Sequence, residues 1–149
     1  MRIDILGVGY DDVTMSGAVT RALELMDVRQ GAYVVTPNPE IIMLARENPA
    51  LLKAIDEASL VLADGIGVIY GAKILGRSLK ARVPGIDFAS NLMSEMAKQG
   101  KSVFLFGAKP GVAEKAAEAL EARWPGLRIA GTNDGYFKDD GPIIEKINA

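Results

Sequence analysis

The sequence contains no cysteine and no histidine. That double absence removes cysteine nucleophiles, Ser-His-Asp triads, disulfide frameworks and the usual zinc ligand sets. Any acid–base chemistry falls to Asp, Glu, Lys or Tyr. No run approaches the roughly 20 apolar residues of a membrane span. The opening stretch MRIDILGVGYDD has too short an apolar segment for a signal peptide and turns acidic at once, so a cytoplasmic location is the default expectation. A strong field of one sign is missing too. The formal net charge is −2 and no lysine- and arginine-rich block occurs, so nothing draws the chain to nucleic acid.

What is present is core material. The 149 residues are 49% hydrophobic and 24% charged, which suits one globular domain spanning 1–149. Short apolar runs at 2–6, 32–36, 60–63, 102–106 and 127–131 read as strands. Helical patterns separate them. In residues 15–27, Val19, Ala22, Leu23 and Met26 form one stripe. Asn38-Pro39 and Asn48-Pro49 each place a cap residue before a proline at the first helical position. Another helix is expected from about Gly65 to Leu75. Asp87 reads as the cap of the next, with Phe88, Leu92, Met93 and Met96 on its core face and Gly100 closing it. Residues 112–124 form a further helix, which Trp124 closes by packing with Pro125-Gly126. A last helix opens around Pro142 and breaks off after about two turns, so the chain is expected to be truncated at its C-terminus. The β-α alternation predicts an α/β fold around a mainly parallel sheet flanked by helices.

In such a sheet the loops after the strands share one edge, and ligands bind there. The sequence puts Gly7-Val8-Gly9, Thr36-Pro37-Asn38, Asp64-Gly65-Ile66-Gly67 and Gly107-Ala108-Lys109 in those loops. Small residues, helix N-termini and short polar side chains are what a nucleotide or sugar-phosphate needs. The glycine spacings are not diagnostic. Gly65-x-Gly67-x-x-x-Gly71 is one residue too long for the dinucleotide fingerprint, and Gly7-x-Gly9 reaches Asp12 where the third glycine belongs. Each loop taken singly also reads as an ordinary tight turn.

Two readings stay open for each polar candidate. Asp64 is either the N-cap of the helix that follows it or a carboxylate placed to accept a proton from a sugar hydroxyl. Asn38 reads as a cap, which does not exclude ligand contact. Arg82, in the Pro-Gly loop KARVPGID, is either a solvated arginine or a phosphate clamp. No Asp-x-Asp follows a strand. Asp11-Asp12 and Asp139-Asp140 are adjacent pairs of the sort found on solvated loops, so no site for a magnesium-held sugar nucleotide is expected.

The blocks VVTPNPEI (34–41), ADGIGV (63–68), RVPGID (82–87), LFGAKPGVAEKAAEAL (105–120) and GYF (135–137) occur in one order along the chain. Together they resemble the WecG/TagA/CpsF glycosyltransferases, and most of all the members that build wall teichoic acid. The resemblance implies a Rossmann-like fold and a metal-independent enzyme with no cofactor. It implies inverting transfer of N-acetylmannosamine from a UDP donor to the 4-hydroxyl of N-acetylglucosamine carried on undecaprenyl diphosphate. By position, Asp64 matches the family's general base. Thr36 and Asn38 match the block that orients a sugar or the base, and Arg82 matches a phosphate contact. The backbone at Gly65, Gly67 and Gly107 would border the donor. Family members continue beyond the last residue of this sequence with a further strand, a pocket glutamine and a basic tail. The resemblance thus places contact with the inner face of the cell membrane in that appendage, and leaves self-association through an uncovered apolar surface as a further expectation. The competing readings are a Rossmann-like dehydrogenase or methyltransferase, and a non-catalytic nucleotide-binding domain.

Overall fold

The computed structural model describes residues 1–28 and 31–148. The chain divides into two compact units, Met1–Leu92 and Met93–Ala149.

The first unit opens with a hairpin. Strand β1 (Arg2–Ile5) pairs antiparallel with β2 (Val8–Asp11). The two linking residues, Leu6 and Gly7, both have positive φ, at 55° and 92°. Positive φ at both residues is one of the favoured two-residue hairpin geometries, because the turn then follows the twist of its strands. The expected post-strand loop Gly7-Val8-Gly9 is therefore a turn and the start of a second strand. Alternation along β2 sends Val8 and Tyr10 into the core.

Helix α1 (Met15–Met26) follows, capped by Thr14, whose hydroxyl accepts from Gly17 N at 3.2 Å. Of its predicted stripe, Val19 and Ala22 are buried, Leu23 is half-buried and Met26 is exposed. Strand β3 (Val34–Val35) pairs in parallel with β4 (Leu60–Val61). Both are shorter than the apolar runs suggest, but backbone bonds prolong the pairing. Ser59 N donates to Tyr33 O, and Leu62 N donates to Val35 O, each at 2.9 Å. Between them, α2 (Pro39–Glu47) and α3 (Pro49–Asp56) begin where the two Asn-Pro pairs predict. Asn38 Oδ1 accepts from Ile41 N at 2.9 Å, and Asn48 Oδ1 accepts from Ala50 N and Leu51 N.

Helix α4 (Ile66–Ile74) and helix α5 (Gly85–Lys98) complete this unit, with α5 running on into the second. Helix α5 starts two residues before Asp87, with Phe88 N donating to Pro84 O at 2.9 Å. Asp87 is thus a first-turn acid, favourable at the positive end of the helix dipole, and not the cap. Two buried clusters fill the unit. One gathers Ile5, Val8, Tyr10, Ile42, Ile55, Val61 and Val68; the other gathers Ala18, Val19, Leu60, Leu62, Val83 and Phe88. Asp11, expected on a solvated loop, ties the hairpin to β4. Its Oδ2 accepts from Val61 N at 2.8 Å and from Arg2 Nε at 3.2 Å.

In the second unit, Gly100 in a left-handed conformation closes α5, as expected. Strand β5 (Ser102–Phe106) pairs in parallel with β6 (Arg128–Asn133). Helix α6 (Val112–Arg123) connects them, and α7 (Gly141–Asn148) follows. Met96 is buried and Met93 half-buried, and the Arg123 guanidinium stacks 4.6 Å from the Trp124 ring centroid at the end of α6. The two parallel pairs flanked by helices match the predicted α/β, Rossmann-like class; the antiparallel hairpin is the element the strand pattern did not foresee. Among the described residues no helix is long and apolar enough to cross a membrane.

Candidate active site

Three segments of the first unit converge just past the ends of β3 and β4. They are Thr36-Pro37-Asn38, Asp64-Gly65-Ile66-Gly67 and Arg82-Val83-Pro84-Gly85. Backbone bonds set their order. Val83 N donates to Ala63 O at 2.9 Å, so the 82–85 segment continues the pairing beyond β4. Two residues on, Gly85 N donates to Asp64 Oδ2 across a long 3.4 Å bond.

Asp64 does not cap α4. The N-cap is Gly65, at φ 91°, and among the described residues no side chain caps the helix N-terminus. A residue with a β-carbon adopts that φ only under strain, so glycine lets the chain reverse from strand to helix directly after the acid. The capping reading of Asp64 is thereby overturned. Among the described residues its half-buried carboxylate is held by one backbone N–H, which leaves it further lone pairs. Among the described residues no side chain caps the first-turn N–H groups of α4, which follow Asp64 directly in the chain.

Close packing holds the other segments against this loop. A β-carbon on Gly67 would lie 2.7 Å from Pro39 Cγ, and one on Gly85 would lie 3.0 Å from Thr36 Oγ1. Glycine at both positions is what lets the loops touch. Thr36 therefore packs on the same residue whose N–H holds Asp64. Asn38 caps α2 through Oδ1, which leaves its amide nitrogen without a partner among the described residues. Arg82 is exposed, and no carboxylate pairs with it among the described residues.

Tyr10 is the residue that sequence reasoning missed. It is 0% exposed, and its hydroxyl donates to Pro37 O at 2.9 Å. Burial pushes its phenol well above the ordinary value, and the nearby negative charge of Asp64 adds to the effect. A signal was available. Once Leu6-Gly7 is read as a hairpin turn, alternation places Tyr10 inside, and a buried tyrosine hydroxyl needs an acceptor.

Gly107 belongs to the second unit. It has φ 124°, its N–H donates to Asn133 O at 2.9 Å, and Ala108 follows at φ 64°. Gly135 N donates back to Ala108 O at 2.9 Å, and the Phe106 and Phe137 rings stand 5.4 Å apart beside this turn.

The sequence profile of the glycosyl transferase WecG/TagA/CpsF family matches residues 3–149. The chain belongs to that family. Its membership sets aside the dehydrogenase and methyltransferase readings. A curated relative from Bacillus spizizenii is 37% identical over 124 residues, covering 83% of this chain and 48% of its own length. One from Staphylococcus aureus is 33% identical over 149 residues, covering 98% of this chain and 58% of its own length. Both are named N-acetylglucosaminyldiphosphoundecaprenol N-acetyl-beta-D-mannosaminyltransferase. The chain spans about half the length of these relatives. In this family member, Asp64, Thr36, Asn38, Arg82, Gly65 and Gly67 all lie on the three converging segments of the first unit.

Proposed function

We propose that this chain carries the catalytic core of an inverting glycosyltransferase. It moves N-acetylmannosamine from UDP-N-acetylmannosamine to the 4-hydroxyl of N-acetylglucosamine on undecaprenyl diphosphate. The observation that carries the reading is the freed carboxylate of Asp64. It stands at a strand end, released from helix capping, with Thr36, Asn38 and Arg82 on the adjoining segments of a family member.

In this reading the acceptor hydroxyl docks within hydrogen-bond reach of Asp64. The carboxylate takes its proton as the oxygen attacks the anomeric carbon from the face opposite UDP. The new carbon–oxygen bond forms while the bond to the β-phosphate oxygen breaks. UDP leaves with that electron pair, and the configuration inverts. Asp64 then passes the proton to water. The bare N–H groups at the start of α4 and the unpaired Arg82 guanidinium meet phosphate charge, and Thr36 and the free amide of Asn38 orient a sugar. The lipid acceptor sets this work at the inner face of the cell membrane.

The test is acceptor-dependent UDP release by a form of the protein as long as its relatives, with Asp64→Asn alongside. Loss of a general base lowers turnover by roughly 10²–10⁴-fold, and UDP is expected to bind both forms. Full activity in Asp64→Asn refutes the assignment of the base. Thermal stabilisation by NAD or S-adenosylmethionine but not by UDP refutes the donor class.

A further inference from the structure

Proline fixes φ at its own position, so Pro37 itself keeps a single soft backbone angle, its ψ. Proline also restricts the residue before it to extended conformations, which narrows Thr36. Rotation about ψ of Pro37 swings the Pro37 carbonyl and carries the whole peptide leading into Asn38. That carbonyl is the group the Tyr10 hydroxyl bonds, at 2.9 Å, from a side chain with no exposure to solvent. Pro37 is itself fully buried, so water cannot replace the bond.

The consequences converge on the candidate site. On one side of Pro37, Thr36 packs against Gly85, whose N–H holds Asp64. On the other, Asn38 accepts from Ile41 N through its side-chain Oδ1, and its amide nitrogen has no partner among the described residues. A hydroxyl on β2, 27 residues earlier in the chain, thus pins the Pro37 ψ, one of the torsions that set these two residues relative to each other. Both the strand and the loop lie in the first unit, so the link needs nothing from the second.

We propose that Tyr10 is a positioning residue for the transfer reaction, whose hydroxyl locks the Pro37 peptide and with it the placement of Thr36 and Asn38 beside Asp64. The inference rests on the glycosyltransferase reading above. It adds a residue that touches no substrate and acts through the loop it holds. Phenylalanine keeps the ring packing and removes only the lock.

The experiment compares wild type with Tyr10→Phe in a form of the protein as long as its relatives. Turnover is counted per folded molecule by UDP-binding stoichiometry, and amide exchange is followed in both. A misplaced polar pair costs rate more than affinity, so kcat is expected to fall roughly ten- to a hundredfold while both KM values hold within about threefold. Exchange at Ile41 N and Gly85 N is expected to quicken, with Ala18 N in α1 unchanged as the internal control. Unchanged kcat overturns the proposal, as does exchange that quickens equally at all three amides, which marks a loss of global stability. An inactive wild type overturns the glycosyltransferase reading instead, and the proposal falls with it. In that case the exchange data still show whether Tyr10 holds the loop.

Discussion

Two glycines of α4 differ in what a methyl group would meet, and the same substitution should have opposite effects at them. At Gly71 an added β-carbon finds only Ile5 Cγ2, at 3.9 Å, an ordinary contact. Replacing glycine by alanine inside a helix gains roughly 0.5–1 kcal/mol through the unfolded chain's lost freedom. Gly71→Ala should therefore stabilise the protein by about that amount. At Gly67 the added carbon would lie 2.7 Å from Cγ of Pro39, a ring atom tied to the backbone that cannot swing away. Overpacking of this kind costs about 1–3 kcal/mol. The same helix gain applies, so Gly67→Ala should range from neutral to about 2.5 kcal/mol destabilising. The difference between the two variants isolates the clash, about 1–3 kcal/mol in favour of Gly71→Ala. Urea unfolding of both, at equal slope, measures it. Because the clash pushes the N-terminus of α2 from that of α4, Gly67→Ala should also slow transfer, whereas Gly71→Ala should not. If the two variants are equally stable, the contact between Pro39 and Gly67 does not hold these loops together, and the packing basis of the site fails.

Removing the Asp11 carboxylate as Asp11→Ala leaves the N–H of fully buried Val61 without its acceptor, and should cost about 1–3 kcal/mol in urea unfolding. Asp11→Asn, which keeps an acceptor oxygen, should cost clearly less, and equal losses would mean that the Arg2 ion pair dominates. The Tyr10 phenol is raised from its ordinary 10.0 by burial first and by Asp64 second. A group raised in the folded state contributes fully below the unfolded value and loses that contribution as pH climbs toward the folded one. Wild-type stability should thus lose about 1.4 kcal/mol per pH unit above about pH 10 through this one group. Tyr10→Phe lacks this loss, so the stability difference between the two should shrink from about pH 9 to about pH 11. A constant difference across that range would refute the burial of a neutral phenol.

Much of this protein follows from local chemistry alone. Asn38-Pro39 and Asn48-Pro49 start helices through local chemistry, because the cap oxygen and the fixed φ of proline act within four residues. The apolar runs at 102–106 and 127–131 become strands, Gly100 ends a helix, and the absence of cysteine and histidine limits the chemistry without reference to any fold. The blocks around Thr36, Asp64, Arg82 and Gly107 were equally legible as a family pattern.

What the chain could not declare locally was settled by partners distant in sequence. Whether Asp64 caps a helix or stands free turned on Gly65 taking the capping position and on Gly85, 21 residues away, supplying an N–H. Asp11 looked solvated until β4 arrived beside it, and Tyr10 had no visible purpose until Pro37 supplied its acceptor. Helix α4 shows the same limit in reverse. Its sequence, IGVIYGAKI, is apolar nearly all round, yet Ile66, Tyr70 and Ile74 are exposed. A hydrophobic period reports what a segment is able to bury, whereas its burial depends on which other surfaces the fold brings to it. Hydrogen bonds of buried groups obey the same rule: local sequence shows that a donor exists, and only tertiary structure decides which acceptor completes it.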